Sequence, residues 1–247
     1  MSRVLGIDVG GTGIKGCIVD TVKGVFVDER LKISTPQPST PDAMLKAVKK
    51  IIKSFDWQGK PIGVGFPAVI KDGKTHTASN IDKTWLDYPI VAKWSTALQT
   101  EIKFVNDADA AGLAEMKFGK GKDAKGLVIM LTLGTGIGSS LFMNGELVPN
   151  TEFGHIIYNR KIAEKTLSNL ARETRKITWK TYGKELNGYL QYLEFILNPD
   201  QIIIGGGISK KFELYSKYFA LKTPITCAES MNDAGIIGAA LATKLHF

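Results

Sequence analysis

Cysteine is nearly absent from this chain. Cys17 and Cys227 are the two present, and they stand far apart. That excludes a disulfide framework and a cysteine-built zinc cluster, and it suits a reducing cytoplasm. Histidine is almost as scarce, at three residues. His76 and His246 read as surface residues, which leaves His155 for chemistry. No apolar run nears the length needed to cross a bilayer. Residues 1–20 contain Asp8 and Asp20 and lack a basic segment followed by a long apolar one, so no secretory leader is expected. The Walker phosphate-loop pattern is missing too.

What remains is a soluble globular composition. Of 247 residues, 44% are hydrophobic and 23% charged, enough for one large or two modest domains. The net charge of +8 either attracts an anionic partner or only confers solubility. No recognition helix or interleaved aromatic and basic motif supports nucleic-acid binding.

Residues 3–9 and 14–20 read as strands, with a third at 25–33 after Lys23-Gly24. The prolines of "STPQPSTP" at 34–41 break the pattern. A helix follows at about 42–55, with Met44, Leu45, Val48, Ile51, Ile52 and Phe55 on one face and Lys46, Lys49, Lys50 and Lys53 solvated. "PIGVGFPAVI" is a buried strand ending at Pro67. A helix is expected near 89–100, a strand at "IKFVN" and a helix from Asp107 or Ala108. A second hairpin unit starts at 126, with Asn144-Gly145 as its turn. Residues 162–197 read as largely helical, "QIIIGGG" as a strand and "NDAGIIGAALATKL" as a helix. The layout is a meander followed by alternating helix and strand, written twice. It predicts an α/β fold of two lobes: 1–105, with the helix at 233–247 packing back on it, and 106–232.

Each half opens with the same phrase. "VLGIDVGGTGIKG" spans 4–16 and "VIMLTLGTGIGSS" spans 128–140. A glycine turn after a strand lets backbone N–H groups approach an anion, and threonine adds a hydroxyl. Residues 11–16 fit the dinucleotide fingerprint, but strand rather than helix follows, so that reading is rejected. The phosphate-binding set is Gly10, Gly11, Thr12 and Gly13, with Lys15 just beyond, and Thr132, Gly134, Thr135 and Gly136. Folded as two lobes, the turns can grip a phosphate chain from both sides. Asp8 beside the first turn suits Mg²⁺, held through water.

"GIDVGGTGIKG", "NDADAAG", "LTLGTGIGSS" and "TEFGHI" together resemble the ROK sugar kinases, over nearly the whole chain and in the expected order. The resemblance implies an actin-like/hexokinase (ribonuclease H-like) fold and a homodimer. "TPQPSTP", "PAVIKDGKTHTASNIDKTW" and "LVPNTEFGH" are similar to the polyphosphate-using glucokinases of that family, which phosphorylate glucose from inorganic polyphosphate and in some members also from ATP. Asp107 then matches the catalytic base, and Asp109 faces elsewhere. For both carboxylates the competing role is helix N-capping. Sugar contacts implied are Glu152 and His155, with Gly154 giving the ligand room, Glu164 as a third, and Asn80 and Asn106 as amide partners. Gly65 and Pro67 shape the wall, where Ala68 stands in place of the family's usual glycine.

The family's zinc site needs cysteines that this chain lacks, so no zinc is expected. Gly205, Gly206 and Gly207 resemble an adenosine-binding wall, or are only a close turn. Lys117, Lys120, Lys122 and Lys125 are the first candidates for a polyphosphate track, and Arg172, Arg175, Lys176 and Lys180 the second. The rival readings are an ATP-dependent hexose or N-acetylhexosamine kinase and a non-catalytic sugar or phosphate sensor.

Overall fold

β1 (Arg3–Val9) is apolar along nearly its whole length because it lies between two strands and beneath a helix. It pairs antiparallel with β2 (Gly13–Asp20) and parallel with β5 (Ile62–Phe66). The computed structural model describes residues 2–78, 81–229 and 233–245. The chain divides into two units, Met1–Ala114 with Asp233–Phe247, and Glu115–Asn232. The division falls inside a helix, not ahead of it at 105/106.

In the first unit, the strand expected at 25–33 is broken. β3 (Val25–Phe26) pairs with the end of β2, and β4 (Leu31–Ser34) pairs with its start. Residues 28–30 leave the sheet between them, and the Asp28 carbonyl accepts from the buried Cys17 Sγ at 3.1 Å. α1 (Pro41–Ser54) is capped by Thr40, whose side chain accepts from Ala43 N, and starts on proline. It buries Met44, Ala47, Val48, Ile51 and Ile52, and its lysines are exposed. β5 leads through a small hairpin (Ile70–Lys71 and Lys74–Thr75) to α2 (Ile90–Leu98). Phe66, Trp85, Trp94 and Phe104 pack edge-on and tilted beneath this stretch. β6 (Ile102–Asn106) then runs straight into α3 (Asp107–Phe118). The sheet order is β3-β2-β1-β5-β6, with β4 also on β2.

The second unit repeats the plan. β7 (Leu127–Leu133), β8 (Ile137–Met143) and β9 (Glu146–Val148) form the meander. Asn144 and Gly145 take φ of 52° and 84° in its second turn, which suits a type I′ hairpin. The stretch expected as helical from 162 to 197 is interrupted twice. Short helices Glu164–Leu167 and Asn169–Thr174 are parted at Ser168, and α4 (Trp179–Leu197) begins afresh. Ser168 and Thr178 each N-cap the helix that follows, accepting from Ala171 N and Thr181 N. β10 (Gln201–Gly205) joins β7 in parallel and β11 (Ile225–Cys227) joins β10, giving the order β9-β8-β7-β10-β11.

α5 (Ala234–Ala242) belongs to the first unit. Its sequence AGIIGAALA is apolar all round, and it is buried. Its seat is cut by glycines: a Cβ would stand 2.1 Å from the Ile236 carbonyl oxygen at Gly6, 1.7 Å from that of Ala239 at Gly63, and 1.6 Å from that of Ala110 at Gly238. Among the described residues, no helix is long and apolar enough to cross a membrane.

Candidate active site

The strand register gathers the predicted residues of the first unit at one sheet edge. Asp8 lies opposite Lys15 on β2 and Gly65 on β5, and Phe66 lies opposite Asn106 on β6. These are the C-terminal ends of parallel strands, where α/β sheets bind ligands. The Lys15 ammonium sits 3.0 Å from Asp8 Oδ2, so the two residues read separately as phosphate and metal ligands form an ion pair. Gly235 of α5 packs directly on the Asp8 carboxylate.

The first glycine turn is closed by Gly10 N donating to Gly13 O at 3.0 Å, and Thr35 Oγ1 donates to Gly10 O at 2.5 Å. The second is closed by Gly134 N donating to Gly136 O at 3.0 Å. At both apices, Gly11 and Gly134, a Cβ would meet nothing within 4 Å. Thr12 and Thr135 are exposed beside them. Glycine at these two positions is therefore not demanded by packing.

Asn106 caps α3, and Asp107 Oδ1 also accepts from Ala108 N at 2.9 Å. The Asn106 Oδ1 accepts from Ala108 N at 2.9 Å and Asp109 N at 3.3 Å, and its Nδ2 donates to Ala68 O at 3.4 Å. Its amide oxygen is thus committed to the helix, and Nδ2 has one further N–H beyond the bond to Ala68 O. Asp109 is fully buried, away from any surface, whereas Asp107 at the first helical position is half-buried. Ala68 is 2% exposed and belongs to the core rather than to the wall. Asn80 and His246 lie outside the described residues.

In the second unit the structure brings Glu152, His155 and Glu164 together. His155 Nδ1 is 3.2 Å from Glu152 Oε2, and its Nε2 is 3.8 Å from Glu164 Oε1. Glu164 Oε1 also meets Lys165 Nζ at 3.1 Å, and its Oε2 accepts from Ile137 N at 3.4 Å. A Cβ at Gly136 would stand 2.4 Å from that Oε2. Burial pushes the Glu152 carboxyl above its ordinary value, the negative charge of Glu164 adds to that, and His155 opposes it.

The turn holding Glu152 and His155 is fixed by residues that sequence reasoning missed. Ser139 Oγ donates to Thr151 O at 2.7 Å and accepts from Phe153 N at 2.9 Å, and Tyr189 of α4 donates to Phe153 O at 3.0 Å. No local motif marks Ser139 or Tyr189 for this work. Gly154 does not make room for a ligand, as expected from sequence; its space is taken by Ile137, whose carbonyl oxygen a Cβ would approach to 2.1 Å.

Gly205 lies opposite Thr132 in the sheet. Gly206 has φ of 83° and a Cβ there would come within 2.7 Å of Leu133 N and O, so this turn is built into the end of β7. Of the basic residues, Lys120 pairs with Glu229 at 2.5 Å and Lys117 lies over the Phe118 ring, while Lys122 and Lys125 are exposed. In the second cluster Arg172 stacks on Trp179 at 4.0 Å, and Arg175 grips Glu185 through two bonds of 2.7 and 2.8 Å.

A profile of the ROK family matches residues 4–165. The chain is 43% identical to a polyphosphate glucokinase of Mycobacterium tuberculosis (strain CDC 1551 / Oshkosh), over 96% of this chain and 90% of that one. It is 41% identical to the polyphosphate glucokinase of Mycobacterium leprae (strain TN), over 98% of this chain and 74% of the other. Among solved structures, an inorganic polyphosphate/ATP-glucomannokinase from Arthrobacter sp. strain KM superposes with a TM-score of 0.93 at 43% identity, covering all of both chains. The repeated meander with two added parallel strands is thus the actin-like/hexokinase fold of sugar kinases. On the family match and on these relatives, this chain belongs to the ROK family.

Proposed function

We propose that this protein is a polyphosphate-dependent glucokinase, transferring a terminal phosphoryl group to the 6-hydroxyl of glucose. The observation that carries this reading is the identity of 43% to a polyphosphate glucokinase over nearly the full length of both chains. A sugar hydroxyl holds its proton at neutral pH, so transfer needs a carboxylate within reach of it. Asp107 fills that role, exposed enough to meet a substrate and ahead of the buried Asp109.

Glu152, His155 and Glu164 hold sugar hydroxyls. The Glu152 carboxylate beside Nδ1 keeps the imidazole proton there and leaves Nε2 as an acceptor. Nε2 and Glu164 Oε1 are 3.8 Å apart, too far to bond one another, and both accept. Two neighbouring hydroxyls, one donating to each, satisfy that arrangement. Gly65 and Pro67 form the wall, and the Nδ2 of Asn106 and the side chain of Asn80 complete the amide contacts.

Gly10, Gly11, Thr12 and Gly13, with Thr132, Gly134, Thr135 and Gly136, bind the donor phosphates. The open space at Gly11 and Gly134 supports this, since nothing within the fold requires glycine there. Asp8 is the candidate holder of Mg²⁺: one half-buried carboxylate, with Oδ2 shared with Lys15, fits an ion that keeps most of its waters and takes the rest of its ligands from phosphate. When bound, the ion neutralises charge on the donor phosphates. Lys15, on a flexible four-carbon stem, is within reach of the same phosphates.

ATP is a second donor on this reading. The Arthrobacter relative is named for both donors, and the Gly205–Gly207 turn abuts the strand that carries Thr132. Lys122 and Lys125 are the exposed cations of the first basic cluster left to meet a longer chain. The protein acts in the cytoplasm, in keeping with two free thiols, and as a homodimer. The test is glucose 6-phosphate formation by purified protein with Mg²⁺, comparing long-chain polyphosphate with ATP. A higher kcat/KM with polyphosphate upholds the reading. Activity with ATP alone would make it an ATP-dependent hexose kinase, and sugar binding without turnover would make it a sensor.

A further inference from the structure

A cavity of about 900 Å³ opens on the second unit between the hairpin Ile157–Ile162, the short helix Glu164–Leu167 and α4. Its walls carry Lys161, Lys165, Arg175 and Lys184 against one carboxylate, Glu185. Arg175 already neutralises Glu185 through its two bonds and also donates to Thr166 O at 3.0 Å. Three lysines are therefore left without an acid in the groove itself, and all three are exposed. The hairpin tip adds Arg160, held at φ of 64°, a backbone conformation that a long side chain rarely adopts.

The groove is joined to the candidate site. Lys165 Nζ is 3.1 Å from Glu164 Oε1, and Glu164 Oε2 accepts from Ile137 N at the end of the second glycine turn. The Glu164 carboxylate thus links that turn to Lys165, which lines the groove together with Lys161 and Lys184. The groove's one aromatic ring, Tyr158, is committed to Tyr189 and Tyr192 at 5.7 and 5.9 Å. Among the described residues, no second ring lines the groove to stack nucleobases in series, and base-free linear anions need none.

We propose that this groove binds the distal segment of a polyphosphate chain whose terminal phosphates lie at the second glycine turn. The proposal rests on polyphosphate being a donor. It is additional to the exposed Lys122 and Lys125, whose neighbour Lys120 is paired with Glu229.

The test is the double variant Lys161→Glu/Lys184→Glu, which leaves Lys165 and the residues around Glu164 intact. The KM for long-chain polyphosphate should rise about tenfold, the scale of losing two surface charge contacts. The salt dependence of that KM should become shallower, by roughly 1 in log–log slope. The KM for tripolyphosphate and for ATP, kcat and the melting temperature should stay as in the parent. An equal rise for tripolyphosphate and long chains overturns the groove. If the parent makes no glucose 6-phosphate from polyphosphate of any length, the donor reading fails, and direct titration with long-chain polyphosphate decides the groove alone. Binding that the variant loses upholds it, and binding that the variant keeps overturns it. Displacement of bound polyphosphate by single-stranded RNA at equal charge concentration would overturn the commitment to a base-free chain.

Discussion

Asp107 and Asp109 stand two residues apart on one helix, yet burial gives them different fates. Asp109 is sealed in the interior and Asp107 is not. Asp107→Asn keeps the shape and removes the base. Turnover should fall by about 10²–10⁴ while glucose affinity, read by calorimetry, holds. Near-normal turnover would remove Asp107 from the reaction. Glu152 carries a second prediction. Its carboxyl holds a proton to higher pH in the folded protein than in the unfolded chain, because burial disfavours its charge. Stability from this residue is therefore greatest at low pH and declines as pH rises from the ordinary glutamate range through the raised value. Glu152→Gln removes that decline and can still accept from His155. The melting temperature of the variant relative to the parent should climb with pH across that window and then level off. A difference that shrinks with pH would contradict the shift.

At the scale of turns and strands, the glycines fall into two kinds that the sequence alone does not separate. Gly11 and Gly134 face open space, whereas Gly154 lies against the Ile137 carbonyl. Gly11→Ala should leave the melting temperature nearly unchanged, within about 0.5 kcal/mol of stability, and raise the donor KM. Gly154→Ala should cost about 1–3 kcal/mol and weaken sugar binding, because the Glu152–His155 turn must move off β8. Chemical denaturation and substrate kinetics on the pair check both.

The glycine-rich phrases, the Asn144-Gly145 turn and the apolar face of α1 were legible because strand, turn and helix each have local signatures. So were Glu152 and His155, three residues apart. The breaks at Ser168 and Thr178 had a signal in their N-capping side chains, which the apolar periodicity from Leu186 onward masked. The clamp by Ser139 and the bond from Ile137 to Glu164 had none. They join residues that are distant in sequence and meet through the sheet.

For the whole molecule, the exposed apolar face of α4 is the feature that bears on assembly. Tyr192, Phe195 and Ile196 share one helical face, and Phe195 is 80% exposed. Burying such a face between copies agrees with the homodimer proposed above. Phe195→Glu should shift the mass seen by light scattering from dimer to monomer at micromolar concentration, with little change in monomer fold. An unchanged mass would place the interface elsewhere.

The glycine-cut seat of α5 bears on the order in which the protein can be made. The unit that carries Asp8 and Asp107 contains β1 near its beginning and α5 more than two hundred positions later, with the entire other unit threaded between them. While a ribosome is still producing residues 115–232, β1 and β5 present an empty apolar trough where α5 will lie. The second unit, contiguous in the chain, has no such debt and can close first. The nascent protein can therefore hold a finished second unit while the first still lacks its last helix. The first unit is complete only after residues 234–242 have cleared the exit tunnel.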